Sequence, residues 1–321
     1  MFIEKVKKTV KKYGLFKYGD TVAIGVSGGP DSLTLLYVLA GLKKEFHLKL
    51  HVAHLDHMLR RDSGQDRKFV ETVAHKLDLP FTSASINVKA IAQKGSLEEI
   101  CRNVRLGFLF KVSRNIKANK IALGHNLDDQ AETVLMRLLR GSGLYGLAGI
   151  LPKKEISGFT IVRPLIEVKR KEIAAYLKRK KLIPRIDPTN SQDIYFRNKI
   201  RHKLLPALEK DYNPNIKEIL SHTAESIAND YDFLNQVSNV AAKKLGAKIN
   251  LKKFSRLHPS VQRMVLRKQI FRLKGSTRRI DFRHIREIEE LISNRPVNSI
   301  VDLPGNIRAK KTKRSLVFSC S

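Results

Sequence analysis

The chain of 321 residues has no tryptophan and only two cysteines, Cys101 and Cys320. Two cysteines so far apart, with no CxxC pair, leave no basis for a disulfide framework or a cysteine-based metal site, and a reducing cytoplasm is the expected compartment. No uninterrupted apolar run reaches the roughly 18–20 residues of a membrane span. The N-terminal stretch "MFIEKVKKTVKKYGLF" lacks the apolar region and small-residue cleavage site of a secretory signal. Its lysine pairs alternate with apolar residues at helical spacing, so it reads as a mature amphipathic helix. Acidic residues are scarce: 30 Asp and Glu face 62 Lys and Arg, for a net charge of +32. The excess is uneven, with +10 over residues 1–150, +8 over 151–200, +1 over 201–250 and +13 over 251–321. A solvated basic surface is the plain reading, but so lopsided a balance favours a polyanion, and nucleic acid in particular. A membrane surface is disfavoured, since no segment pairs its lysines with a Trp/Phe-rich face.

What is present is an alternation of short β-rich runs and longer helical patterns. "TVAIGV" (21–26), "LKLHVAHL" (48–55), "FTSASI" (81–86) and "KIALGH" (120–125) read as strands, with helices over 32–44, 64–78 and 96–117. Ser96-Leu-Glu-Glu99 is a capping box that starts the third helix. The spacing predicts right-handed crossovers in an open, doubly wound, mostly parallel α/β sheet. After Gly141 come a Gly-rich loop, "GSGLYGLAGILPKK", a short strand "TIVRPL", a helix over 169–180 and a Pro-punctuated turn "LIPRIDPTN". Ile194 onward is helical until Pro206, and 214–245 is a long, nearly neutral connector helix. Two basic helices follow, at about 259–273 and 281–293, and then a small terminal β-unit. We place a first domain at 1–208 and a smaller, basic second domain at 209–321.

In such a sheet, ligands bind outside the carboxyl ends of the strands. The first strand ends in Ser27-Gly28-Gly29-Pro30-Asp31-Ser32. Glycines let main-chain N–H groups line a concavity, and the following helix N-terminus adds partial positive charge, so phosphate is held without a lysine. The second strand ends "HVAHLDHMLRR", but His51 and His54 face opposite sides of a strand, and no further zinc ligands lie nearby. Histidines lining a nucleotide pocket, or capping the sheet edge, are the better readings. The fourth strand ends in Gly124-His125-Asn126-Leu127-Asp128-Asp129-Gln130-Ala131-Glu132. Acids in the first turn of a helix complement its dipole. Asp129 and Glu132, however, share a face, and an anionic pair beside a phosphate loop is suited to Mg²⁺ or an amine substrate.

"SGGPDS" after a strand resembles the pyrophosphate loop of the ATP-pyrophosphatase (PP-loop) superfamily. "HLDHMLRRDS", "SLEEICRNVRLGFL", "GHNLDDQAETVLMRLLRGSGLYGLAGI", "RPLIEVKRKEI" and "DPTNSQDIYFRNKIRHKLLPAL" follow in order. Together, over about residues 20–210, they are similar to the tRNA(Ile)-lysidine synthetase family, and 250–321 resembles that family's first C-terminal tRNA-contacting domain. A second C-terminal domain of longer members has no counterpart in this sequence. Two departures are mild: Leu106 stands where an aromatic is common, and Thr189 where Ser is common.

The resemblance implies ATP-dependent ligation of lysine to C2 of the wobble cytidine in the CAU anticodon of tRNA(Ile), through an adenylated cytidine, with release of AMP and pyrophosphate. By position it implies that Ser27, Gly28, Gly29, Pro30, Asp31 and Ser32 bind ATP, with His54 at the nucleotide pocket. Asp31 would stand near Mg²⁺ and the reacting phosphate. His125, Asp129 and Glu132 would take lysine, Asp129 being the second catalytic acid, and Arg105 and Arg197 would lie at the reaction centre. Asp187, Asn190, Asn198 and Arg201 would hold the loop carrying Arg197. Arg308, Lys310, Lys311, Lys313 and Arg314 would grip the tRNA body, and the family likeness extends to a homodimer. The alternatives are another RNA-modifying enzyme of the superfamily, such as a base thiolase, and a non-catalytic RNA-binding protein.

Overall fold

A computed structural model describes residues 2–60, 62–91, 97–185, 196–277 and 279–320. The Ser96 cap, Asp187, Thr189 and Asn190 lie outside the described residues. The chain separates into two compact units, Met1–Ser226 and Ile227–Ser321.

The first unit contains α1 (Phe2–Lys12), β1 (Thr21–Gly25), α2 (Pro30–Leu42), β2 (Lys49–Asp56), α3 (Ser63–Lys76) and β3 (Phe81–Ser85). There follow α4 (Val88–Ile91), α5 (Leu97–Asn115), β4 (Lys120–Ala122), α6 (Leu127–Leu139), α7 (Leu144–Leu147), β5 (Lys153–Ile156), β6 (Phe159–Val162) and α8 (Arg170–Arg179). The six strands lie in the order β3-β2-β1-β4-β6-β5. β1, β2, β3, β4 and β6 are parallel, and β5 returns antiparallel along β6 as an edge hairpin. Alternation along the strands divides the core. Val22, Ile24, Leu50, Val52 and Val162 pack beneath α1, α2, α3 and α8, whereas Ala23, Ala53, Ile121 and Ile161 meet α5 on the other face. The chain's first helix is docked: Phe2 stacks on Tyr176 at 4.5 Å between ring centroids, and Lys5 donates to Glu172 at 2.7 Å.

The strand and helix expectations for 21–125 match closely. Two features differ from the sequence reading. β5 begins within the stretch read as loop, while β6 falls on the strand read at "TIVRPL". The helical segment also does not stop at Pro206: α9 (Phe196–Lys199), a π-helical turn (Ile200–Leu204) and α10 (Leu205–Asp211) run on end to end. Proline is tolerated in the first turn of a helix, and the wide turn before it absorbs the missing N–H.

α11 (Ile216–Leu245) contributes its first part to the first unit and the remainder to the second. The second unit adds β7 (Lys248–Asn250), α12 (Leu251–Phe254), α13 (Pro259–Lys274), α14 (Phe282–Ser293), β8 (Ile300–Leu303), β9 (Ile307–Lys311) and β10 (Ser315–Cys320). Its antiparallel sheet runs β7-β10-β9-β8, with Val265, Leu266, Ile285, Ile288, Leu303 and Leu316 in its core. Among the described residues no helix is long and apolar enough to cross a membrane.

Candidate active site

β1 ends at Gly25, and the chain must turn sharply to begin α2 only a few residues later. Gly28 makes that turn at φ +89°, a conformation that favours glycine. The Ser32 hydroxyl closes the loop: it accepts from Ser27 N at 3.1 Å and donates to Gly29 O at 3.1 Å. Gly29, the N-cap of α2, supplies no side-chain cap, and Pro30 has no N–H to satisfy. The first-turn N–H groups of Asp31 and Ser32 are therefore left to an anion, in line with the helix dipole.

A cavity of about 310 Å³ opens on this loop. Ser27, Gly29, Pro30, Asp31, Ser32, Arg105, His125 and Asp129 line it, together with an apolar patch of Ala53, Leu55, Leu106 and Leu109 suited to a flat ring. Gly28, His54, Glu132 and Arg197 do not line it. His54 is buried behind the loop, its Nδ1 donating to Val26 O at 2.9 Å, and it is His57 that reaches the cavity. His51 bonds Thr82 at 2.8 Å on a different face, which separates the three histidines. Among the described residues no cluster of three His, Cys, Asp or Glu stands ready for a metal ion.

α6 starts with a capping box. Asn126 Oδ1 accepts from Asp129 N at 3.0 Å, and Asp129 Oδ2 accepts from Asn126 N at 3.1 Å. The same Asn126 side chain donates from Nδ2 to Asp31 Oδ1 at 2.9 Å. One asparagine thus ties the phosphate loop to the acidic helix. Asp128 turns the other way, taking Arg170 N at 2.7 Å and Lys217 Nζ at 3.2 Å, which accounts for it structurally.

The remaining acids meet three guanidinium groups. Arg197 donates to Glu132 Oε2 at 2.7 Å and to Asp129 Oδ1 at 3.1 Å. Arg201 donates twice to Glu132, at 2.6 and 2.9 Å, and Arg170 reaches Asp129 Oδ1 at 3.1 Å. Burial alone would push Glu132 up, but Arg201 and Arg197 hold it below the usual carboxylate range. Asp129 is raised, by burial above all, despite Arg197. Asp31 is raised to about 6, first by burial and then by the nearby charge of Asp129.

A cationic wall on the same cavity went unread in the sequence. Arg102 and Arg163 line it beside Arg105. Arg163, only 3% exposed, gives Nη1 to Leu151 O at 2.6 Å while its Nε is buried without a hydrogen-bond partner among the described residues. Burial, then Arg102, brings it down to about 10. His57 and His125 also carry buried Nδ1 atoms with no partner among the described residues. Burial keeps both neutral, Arg105 adding to the effect on His57 and Arg163 to that on His125. Unpaired buried donors and acceptors in a cavity wall are costly unless a ligand meets them. The "RPL" of residues 163–165 was the available signal for Arg163.

In the second unit, Arg308, Lys310, Lys313 and Arg314 are exposed. Arg308 pairs with Asp302 at 2.8 Å. Lys311 differs from its neighbours: its Nζ donates to Ile292 O at 2.8 Å and Arg295 O at 2.6 Å, closing the C-terminal end of α14.

The model of the PP-loop domain, ATP_bind_3, matches residues 1–208. The tRNA(Ile)-lysidine synthase of Clostridioides difficile (strain 630) is 41% identical over 99% of this chain and 71% of its own length. The chain belongs to the tRNA(Ile)-lysidine synthase family. The synthase of Caldanaerobacter subterraneus subsp. tengcongensis is 40% identical over 98% of the chain and 68% of its own length. A solved U34-tRNA thiolase, NcsA from Methanococcus maripaludis, superposes with a TM-score of 0.60 at 22% identity, covering 70% of this chain and 77% of that one. That likeness concerns the fold. The chain is thus a ligase-type, tRNA-modifying member of an ATP-using family.

Proposed function

We propose that the protein joins the ε-amino group of free lysine to C2 of the wobble cytidine in the CAU anticodon of tRNA(Ile), consuming ATP. The observation that carries this reading is Asn126, whose one side chain bonds both the loop aspartate Asp31 and the backbone of Asp129. Phosphate binding and the acidic pair are thereby parts of one site. ATP phosphates lie on the Ser27–Ser32 loop and the α2 N-terminus. The cytosine O2 attacks the α-phosphorus, the O2–P bond forms, and pyrophosphate leaves. Arg102, Arg105 and Arg163 stabilise the charge that gathers on the phosphate oxygens. The lysine Nε then attacks C2, loses a proton, and AMP departs with the former O2. Lysine's ammonium takes the place of a guanidinium at Asp129, the acid that carries the raised pKa. His125, kept neutral by burial and by the facing arginines, lies on the same wall beside the lysine site, and the amine's proton passes to water.

Mg²⁺ fits the site through Asp31. Asp31, a carboxyl lifted to about 6 by burial and by its neighbour Asp129, would hold the ion, which would supply counter-charge to the phosphates. Thiolation, the alternative chemistry, finds no cysteine pair, since Cys101 is in α5 and Cys320 in β10. The exposed cations of β9 and the following turn serve tRNA phosphates. Two dispersed cysteines suit the cytoplasm, and sedimentation reads the homodimer expected from the resemblance. Incubation with ATP, radiolabelled lysine and tRNA tests the central claim. Label must enter tRNA(Ile) bearing CAU and leave other anticodons unlabelled; no incorporation refutes it. Asp31→Ala and Asp129→Ala must abolish incorporation while tRNA binding persists.

A further inference from the structure

The Gly-rich segment after α6 has no part in the chemistry above, yet it is built with care. Arg137 spends its half-buried guanidinium on two carbonyls of the segment, Gly146 O at 2.6 Å and Gly149 O at 2.8 Å. Gln130 accepts from Ile150 N at 2.6 Å. These ties fix α7 against α6 and hold large apolar side chains out in solvent. Leu138 is 55% exposed, Leu139 58%, Leu144 45% and Tyr145 52%. Such a cluster on a highly charged protein marks an interaction surface.

Its surroundings specify the partner. Lys154 lies 5.4 Å from the centre of the Tyr145 ring and donates to its hydroxyl at 2.8 Å. Arg140, the C-cap of α6, lies 5.2 Å from the centre of the Phe196 ring, which is itself 40% exposed. Lys153 is exposed on the same hairpin, and the carboxylate there, Glu155, is already taken by the Thr160 hydroxyl at 2.6 Å. Flat apolar faces flanked by cations match unpaired nucleobases with their phosphates, the mode by which single-stranded RNA is held. The surface also leads to the site. α6 begins at the acidic pair and ends here, about 15 Å further along its axis, and Phe196 directly precedes Arg197, which binds Glu132.

We propose that Tyr145, the exposed leucines of α6–α7 and the Arg140–Phe196 pair form a stacking platform for unpaired bases of an RNA loop. It takes the nucleotides of the anticodon loop that flank the base delivered to the cavity. The inference rests on the reading of the protein as a tRNA-modifying enzyme and assigns that substrate a second foothold on the first unit.

Binding of a short fluorescent anticodon stem-loop RNA, measured by anisotropy on the full chain, tests it. Tyr145→Ala is expected to weaken stem-loop binding, and to raise KM for tRNA, by about tenfold. KM for ATP and the melting temperature are expected to stay unchanged. Tyr145→Phe, which keeps the ring but loses the hydroxyl held by Lys154, is expected to bind within about twofold of wild type. Unchanged stem-loop affinity and tRNA KM in Tyr145→Ala overturn the platform. So does a shift in self-association on sedimentation with RNA affinity intact, which makes the patch an interface between copies. If wild-type protein binds the stem-loop through Tyr145 but incorporates no lysine, the functional reading fails and the platform stands.

Discussion

Replacing Asp31 by Asn separates the catalytic value of this carboxylate from its cost to the fold. In the nucleotide-free chain its pKa is raised from 3.8 to about 6, chiefly by burial and then by Asp129. A carboxyl raised on folding binds its proton more tightly in the native state, so the ionised form is a penalty. That penalty is complete above about pH 6, shrinks between about 6 and 3.8, and vanishes below. At 1.36 kcal/mol for each tenfold in proton affinity, its upper bound is about 3 kcal/mol. Asparagine keeps the acceptor that Asn126 Nδ2 uses at 2.9 Å and carries no charge. Asp31→Asn is therefore expected to raise the melting temperature at neutral pH by up to roughly 10 °C for a unit of this size, while abolishing lysine incorporation. Thermal melts without nucleotide or divalent cation, between about pH 4 and 8, read the effect. The variant's advantage must fade as pH approaches 4. A variant no more stable than wild type at pH 7, or one whose advantage ignores pH, refutes the electrostatic account of Asp31.

Glu132→Gln removes one of the two carboxylates that Arg170, Arg197 and Arg201 share, and is expected to lower stability by about 3 kcal/mol and to abolish incorporation, measured by melting and by the labelled-lysine assay. Gly124→Ala would set a methyl 3.0 Å from the Asp31 carbonyl group and 3.1 Å from Ser32 N, both main chain. It is expected to displace the loop and cut activity more than about tenfold with circular dichroism unchanged. Joint substitution of Lys310, Lys313 and Arg314 by Ala is expected to weaken tRNA binding and flatten its salt dependence, by about one unit of log–log slope for each phosphate no longer neutralised, with ATP binding intact. Lys311→Ala, by contrast, is expected to cost melting temperature, since its ammonium holds the carbonyls of Ile292 and Arg295.

The parts of the site that a sequence displays well are those made within a few residues. The six-residue loop, the cap at Asn126 and the shared face of Asp129 and Glu132 follow from strand ends and helical spacing, and the parallel strands follow from crossover lengths. The rest depends on side chains brought together from afar. Arg170 and Arg201 reach Glu132 from 38 and 69 residues away, and each reads locally as one more surface arginine in a basic chain. Arg163 gives no periodic signal of burial, because a charged residue at a strand end is usually solvated. Lys311 sits in an exposed-looking run, and only the arrival of α14 beneath it makes it structural. His54 shows the converse: a chemically suggestive side chain at a strand end that the fold spends on Val26.

The π turn at Ile200–Leu204, closed by Leu205 N on the carbonyl of Ile200, is a helix holding one residue more than its pitch requires. Arg197, Arg201 and Pro206 are thereby phased by chain length as well as by side-chain type. In an unbroken α-helix an extra residue would rotate everything before it by about 100°; the wide turn takes that residue up, and Arg197 keeps its approach to Glu132. Here the count of residues is itself a site determinant. Closing the turn to an ordinary pitch, with every named functional residue still present, would swing Arg197 away from Glu132.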